Sequence, residues 1–379
     1  MQQISDKMAG LYVHIPFCKS RCVYCAFYST TNHEMAERYV SALCHELDIR
    51  SDYCDPKWQT VYLGGGTPST LTHDQLQRLF SHIDCTHSTE VTIECNPDDL
   101  TPEFATLLST LPVNRVSMGA QTFDDARLRF LRRRHSAADV SRAVENLRNA
   151  GIDNISIDLI YGFPNETLNQ WDDDITTALS LKVEHLSAYC LSYEEDTPLY
   201  RLLNEGKIQE ADDELTRTMY YHLIDRLADA GYEHYEISNF ALPGRRARHN
   251  SSYWNSTPYM GIGAAAHSFD GKSRQWNAAD LPIYIKEVEN ENIPFERETL
   301  NTPERYNDIV MLSLRTCEGI DLALLKSTFG TKLHEYLMSQ AAKYIKSGLL
   351  IHESNRLRLS REGLYVSDMV MSELMLVTS

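Results

Sequence analysis

Three thiols stand within eight residues near the start of this 379-residue chain, in Cys18-Lys-Ser-Arg-Cys22-Val-Tyr-Cys25. The Cys-x3-Cys-x2-Cys spacing lets one loop wrap all three around a common centre. Three thiolates fill three corners of a four-iron cluster and leave the fourth iron without a protein ligand, open to a small chelating molecule. A zinc loop or a disulfide pair would use the same residue type. Structural zinc sites usually close with four ligands, often from two paired knuckles, and no second Cys-x2-4-Cys knuckle follows here.

A reactive loop needs a scaffold, and the surrounding sequence alternates strand-like with helix-like segments. Strands are expected at residues 11–14, 60–63, 90–94, 114–118, 155–160 and 185–190. Helices are expected at 34–50, 73–82, 102–109, 125–131, 137–150, 168–181 and 212–230. Apolar, β-branched strands separated by helices predict a parallel sheet. Six units are too few for an eightfold barrel, so the expected fold is α/β, an open partial (βα)6 barrel. Reactive groups in barrels collect at the carboxyl ends of the strands.

Polar residues do end these strands. Leu63-Gly64-Gly65-Gly66-Thr67-Pro68 places three glycines where a ligand could meet bare backbone; a tight strand–helix turn is the plainer alternative. Glu94, in Ile93-Glu94-Cys95-Asn96-Pro97, could bind an amine or ribose hydroxyls, or could merely cap a helix. Gln121 ends the fourth strand, with Arg133 a helix later. Asp158 lies among apolar residues in Ile157-Asp158-Leu159-Ile160, where a buried carboxylate wants a partner, and Arg133 is the candidate. A purely structural ion pair would explain the same residues.

The formal charge of −17, from 53 acidic and 36 basic residues, disfavours nonspecific binding to nucleic acid or anionic lipid. The first residues carry no apolar signal segment, and nine cysteines, an odd number, fit a reducing compartment, so a cytoplasmic location is expected. The six cysteines outside the loop (Cys44, Cys54, Cys85, Cys95, Cys190 and Cys317) read as small buried hydrophobes.

The cysteine spacing, with Tyr24 before the third thiol, resembles the radical S-adenosylmethionine (SAM) superfamily. The lead-in Tyr12-Val-His14-Ile-Pro-Phe-Cys18 is similar to the branch that holds oxygen-independent coproporphyrinogen III dehydrogenase and the HemW haem chaperones. That resemblance implies a [4Fe-4S] cluster on Cys18, Cys22 and Cys25. It also implies SAM contacts at Tyr12, Gly65, Gly66, Thr67, Glu94, Gln121, Arg133 and Asp158. Tyr12, Gly65 and Glu94 would serve a SAM on the cluster, and the others a second SAM beside it. His14 matches a histidine near the cluster.

Three features lean towards the chaperones. Phe27 stands where the dehydrogenase continues Cys-x-Cys, and only seventeen residues precede Cys18, too few for the dehydrogenase's N-terminal extension. His249-Asn-Ser-Ser-Tyr-Trp254 resembles the chaperone motif His-Asn-x-x-Tyr-Trp. An exposed imidazole among aromatic rings would suit haem, with His249 as axial ligand; the alternative is that His249 and Trp254 pack a domain junction. The implied cofactors are the cluster, SAM and haem. The implied partners are haem and haem-accepting proteins, with transient contact to membrane proteins and a homodimer as further expectations, and no nucleic acid. The enzymatic alternative is oxidative decarboxylation of coproporphyrinogen III.

The domain expectation is a core at residues 1–240, a connecting region at 241–300, and a mainly helical, winged-helix-like domain at 301–379. Within the connecting region, the small-residue run 259–269 is expected close to the SAM site or barrel mouth. Thr302-Pro303-Glu304 is a good helix start. Two short strands at 349–352 and 356–360 read as a hairpin before a last helix.

Overall fold

The computed structural model describes residues 10–51 and 58–377. The opening segment and Cys54 lie outside the described residues. Strands β1 (Gly10–Ile15), β2 (Thr60–Gly65), β3 (Glu90–Cys95), β4 (Arg115–Gln121), β5 (Ile155–Tyr161) and β6 (His185–Cys190) pair in parallel in chain order. Helices α1 (Ala36–Ile49), α2 (His73–Ser81), α3 (Pro102–Thr110), α4 (Asp125–Phe130), α5 (Ala137–Asn149) and α6 (Leu168–Ser180) join them; α7 (Pro198–Asn204) and α8 (Asp213–Asp229) follow β6. The partial barrel expected from sequence is present.

The strands, expected to be apolar and β-branched, are so on one face only. One face carries Leu11, Val13, Ile15, Val61, Leu63, Ile93, Val116, Met118, Ile157 and Leu159, which pack with the helices in the main core. The opposite face carries polar residues, among them Thr92, Arg115, Ser117, Ser156, His185 and Ser187, all buried. The period-2 alternation of strand side chains sends one set to the helices and the other to the barrel interior. Capping boxes fix where the helices begin: Thr72 with Gln75 for α2, and Thr167 with Gln170 for α6.

The sheet runs well beyond six strands. β7 (Glu233–Glu236) and β8 (Asn239–Ala241) add antiparallel strands beside β6. After α9 (Arg248–Trp254), β9 (Tyr259–Ile262) pairs parallel to β1, and β10 (His267–Phe269), β11 (Ser273–Asn277) and β12 (Phe295–Thr299) continue antiparallel, with α10 (Leu281–Glu289) packed on α1. Residues 241–300, read from sequence as a connecting region, therefore carry four strands of the main sheet. Its order is β12-β11-β10-β9-β1-β2-β3-β4-β5-β6-β8-β7, which puts β1 in the interior of the sheet and leaves the barrel open.

The C-terminal part holds α11 (Thr302–Leu314), β13 (Ile320–Asp321), α12 (Leu322–Lys346), β14 (Leu350–Glu353), β15 (Arg356–Leu359), α13 (Arg361–Tyr365) and α14 (Ser367–Leu374) around a second apolar core. Asn301 caps α11 one residue before the expected start, with Pro303 in the first turn. Backbone bonds from Ile237 to Arg315 (3.1 Å) and from Cys317 to Tyr235 (3.1 Å) tie this part to β7. Among the described residues, no helix is long and apolar enough to cross a membrane.

Candidate cluster and cofactor pocket

The cysteine loop leaves β1 and is anchored along its length. The Cys18 N–H donates to Thr30 O (2.9 Å), Thr30 N–H to Pro16 O (2.7 Å), and Val23 N–H to Leu131 O (3.2 Å). Lys19 pairs with the buried Asp99 at 2.6 Å. Cys18, Cys22 and Cys25 line one pocket at the carboxyl ends of the strands. Gly65, Gly66, Thr67, Glu94, Gln121, Arg133 and Asp158 line the same pocket. Thr67 Oγ1 donates to Cys18 Sγ (3.6 Å) and Arg133 Nη1 to Cys22 Sγ (3.5 Å).

Among the described residues no three ligating side chains converge tightly enough for a single metal ion. Three thiols on one pocket wall, two of them already accepting hydrogen bonds, are a donor set that fits an iron–sulfur cluster.

The glycine run meets a demand of the protein's own backbone. A Cβ on Gly66 would stand 2.8 Å from Phe17 O and 2.8 Å from the Pro16 carbonyl carbon. Gly66 N–H donates to Ile15 O (2.8 Å) and Thr67 N–H to Phe17 O (2.8 Å). Gly65 has φ +111°, and a Cβ there would fall 2.5 Å from the His14 ring. The run thus lets the β2 turn lie directly on the start of the cysteine loop, a close approach that only glycine permits.

Glu94 is neither a cap nor a surface residue. Tyr62 OH donates to its Oε1 (2.7 Å) and Gly65 N–H to its Oε2 (3.1 Å), and burial pushes its carboxyl up to about 7. Tyr12 sits just below, its OH 3.0 Å from His14 Nδ1, with its own hydroxyl pushed well up by burial and the nearby Glu94. The expected Arg133–Asp158 pair does not form as a direct contact. Arg133 Nη2 instead donates to Asn96 Oδ1 (2.5 Å) and Gly119 O (2.7 Å). Asp158 is raised by burial, against a hydrogen bond from Ser187 and the charges of Arg115 and Arg133.

His249 departs furthest from expectation. It is 0 % exposed, with Nδ1 2.9 Å from Thr60 Oγ1 and Nε2 2.8 Å from Tyr253 OH. Its ring stacks on Tyr62 at 5.1 Å. The N–H groups of Arg248 and His249 donate to the buried carboxylate of Glu90 at the start of β3 (2.8 and 2.9 Å). Short helix α9 thus plugs the amino end of the barrel, opposite the cysteine pocket, and both His249 nitrogens are engaged. Arg315 lies over the Trp254 ring at 4.9 Å, so this motif does pack a junction. Burial and the charge of Arg115 lower the His249 imidazole to about 3. Cys190 and Cys317, read as buried hydrophobes, are exposed.

Around Gln121, residues not singled out from the sequence complete the site. Gln121 holds φ +68°, uncommon for a side-chain-bearing residue, beside an irregularity in the β4–β5 pairing. Asp174 secures the next turn by accepting from Thr122 Oγ1 (2.7 Å) and Phe123 N–H (2.8 Å). Arg127 joins Asp174 to Glu166, which accepts the N–H groups of Gly162 (2.7 Å) and Phe163 (3.1 Å) after β5. The sequence signal was present in polar residues flanking the strand ends, but it becomes specific only once the strands are adjacent.

Comparison with known proteins agrees with this architecture. A Radical SAM superfamily profile matches residues 12–178, and a HemN C-terminal domain profile matches 300–366. Heme chaperone HemW of Bacillus subtilis is 33% identical over 94% of this chain and 96% of its own. HemW of Lactococcus lactis is 33% identical over 98% of both chains. Mitochondrial radical S-adenosyl methionine domain-containing protein 1 of the mouse is 30% identical over 97% of this chain and 87% of its own. Among solved structures, Escherichia coli coproporphyrinogen III oxidase (HemN) superposes with a TM-score of 0.85 at 21% identity, covering 97% of this chain and 90% of that one, a likeness of fold. Superfamily membership implies a [4Fe-4S] cluster and SAM. With its cysteine loop, open barrel and full-length relatives in agreement, the chain belongs to the HemW family of radical SAM proteins.

Proposed function

We propose that this protein is a haem chaperone, binding haem and passing it to haem-accepting proteins. The observation that carries the reading is its likeness to HemW chaperones across nearly the whole of both chains. Phe27 supports it: the ring is 70 % exposed on the lining of the cysteine pocket. An exposed aromatic face beside the cluster loop suits a flat, apolar porphyrin better than a small polar substrate.

In this reading Cys18, Cys22 and Cys25 hold the cluster, with Thr67 and Arg133 donating to its sulfur ligands. Tyr12, Gly65 and Glu94 hold one SAM; Gly66, Thr67, Gln121, Arg133 and Asp158 face a second. A bound cluster supplies an electron and an open iron site for SAM. Glu94 offers its carboxylate to an amine or ribose, and Asp158 and Arg133 offer opposite charges across the same pocket. Residues 1–240 form the SAM core, 241–300 complete its sheet and plug it, and 301–379 form the C-terminal domain.

The test is an anaerobic assay on cluster-loaded protein with SAM, a reductant and coproporphyrinogen III, with products followed by mass and haem binding measured on the same sample. Haem binding without porphyrin decarboxylation is expected. Loss of carbon dioxide from the porphyrin would replace the chaperone with the decarboxylating enzyme.

A further inference from the structure

Among the described residues Arg115 is the one arginine buried to 1 % exposure, and its Nε and Nη1 have no hydrogen-bond partner. A guanidinium is a permanent cation, and leaving one buried without a partner is costly unless its charge is used. Its place in the barrel says where. Arg115 is in register with Thr92 on β3, one pleat below Glu94 and Ser117, which are themselves in register. Its charge acts on Tyr62 of β2, Glu94 of β3, Asp158 of β5, His185 of β6, Tyr235 of β7 and His249 of α9. Arg115 thus belongs to the buried polar face of the sheet, on the amino-end side of Glu94 and Ser117. Thr92 Oγ1 beside it is likewise buried without a partner.

We propose that Arg115 is a positioning residue for the SAM pocket, the fixed countercharge beneath the two carboxylates Glu94 and Asp158. The proposal rests on the reading of those two residues as SAM contacts. Glu94 is otherwise faced by Tyr12, Tyr62, Tyr253 and the Gly65 N–H, and Asp158 itself acts against its charge. Asp158 is otherwise faced by Ser187, Tyr189 and Arg133. Arg133 is committed to Asn96, Gly119 and Cys22. Among the described residues that leaves Arg115 as the interior cation without a hydrogen-bond partner; the Glu90 carboxylate, two residues before Thr92, is taken by the Arg248 and His249 N–H groups. Without it, two buried carboxylates repel one another, and the more easily protonated one is lost as an acceptor for SAM.

The magnitude follows from titration. A carboxyl at about 7 is half ionised at pH 7. One unit higher leaves about a tenth ionised, roughly a fivefold loss that vanishes by pH 9.

The experiment compares SAM affinity at pH 7 and pH 9, by equilibrium dialysis with labelled SAM, for full-length cluster-loaded protein and for Arg115→Met and Arg115→Lys. Arg115→Met is expected to bind about fivefold more weakly than the parent at pH 7 and to match it at pH 9. Arg115→Lys is expected to track the parent at both. Wild-type affinity in Arg115→Met at pH 7, or an equal loss at both pH values, overturns the proposal. Should Arg115→Met not fold, Arg115→Lys decides: equal loss at both pH values again overturns it. Glu94→Gln and Asp158→Asn run alongside. Unchanged SAM affinity in both removes the site reading and the proposal with it; loss in these with none in Arg115→Met removes the proposal alone.

Discussion

Replacing His249 by alanine separates a barrel plug from a haem ligand. The substitution removes two buried hydrogen bonds, to Thr60 and Tyr253, worth about 1 kcal/mol each. Loss of the stack on Tyr62 and the edge contact with Tyr253 at 5.2 Å adds about 0.5–1.5 kcal/mol, and the cavity adds more. The expected cost is about 3–4 kcal/mol, or an apparent Tm lower by roughly 6–16 °C at the sensitivity of large domains. The imidazole is held neutral, lowered to about 3 from an ordinary 6.5. A base with a depressed folded pKa stabilises above its unfolded pKa, and that stability is lost as pH falls through the folded value. The parent should therefore lose stability between pH 6.5 and about 3 more steeply than the variant. Thermal unfolding by circular dichroism over that range, with haem titration on the same samples, measures both. A variant that keeps its Tm yet loses or shifts the haem Soret band would refute the plug and return His249 to haem.

Three further outcomes follow from the pocket. Alanine at Cys18, Cys22 and Cys25 together is expected to abolish the broad visible absorbance of the reconstituted cluster, and a full four-iron signal would defeat the assignment. Gly66→Ala forces a Cβ against unyielding backbone at Phe17 and Pro16. It should cost about 1–3 kcal/mol and lower iron content per chain, and normal iron loading would show that the β2 turn does not seat the loop. Glu94 has a folded pKa raised to about 7 by burial, so its contribution is present at low pH and lost as pH rises from about 4.5 through 7. Glu94→Gln should flatten that part of the stability profile of the SAM-free protein, and an unchanged slope in differential scanning fluorimetry would count against it.

Much of the site could be read before the fold. Cys18, Gly65, Glu94 and Gln121 end or follow a strand, Asp158 lies within one and Arg133 comes a helix later, and a parallel barrel brings strand ends together whatever its details. The connections were harder. Arg133 and Asp158 looked like a pair because both charges needed partners, yet Asn96 and a backbone carbonyl took the guanidinium. His249 looked exposed because histidine beside polar residues usually is. Its burial depends on Thr60 and Tyr62, nearly 190 positions earlier. Strands β9–β12 escaped because they are short, β10 and β11 are mostly polar, and β12 is exposed along its whole length. Arg115 reads as an ordinary charged residue at a strand start, and only the barrel interior gives it a role.

The position of β1 inside the sheet bears on how the protein is made. One neighbour, β2, emerges about 50 residues later, but the other, β9, begins at Tyr259, opposite Gly10. At about 5–20 residues per second, the roughly 250 intervening residues take on the order of 12–50 s to synthesise. Throughout that interval the strand leading into Cys18 has an open edge, the kind of surface that pairs with wrong partners. Long-range pairing of this sort is also slow to close. A nascent chain stalled before Tyr259 should therefore carry all three thiols on an unfinished sheet, and iron delivery on the ribosome would meet a different loop from the one in the finished protein.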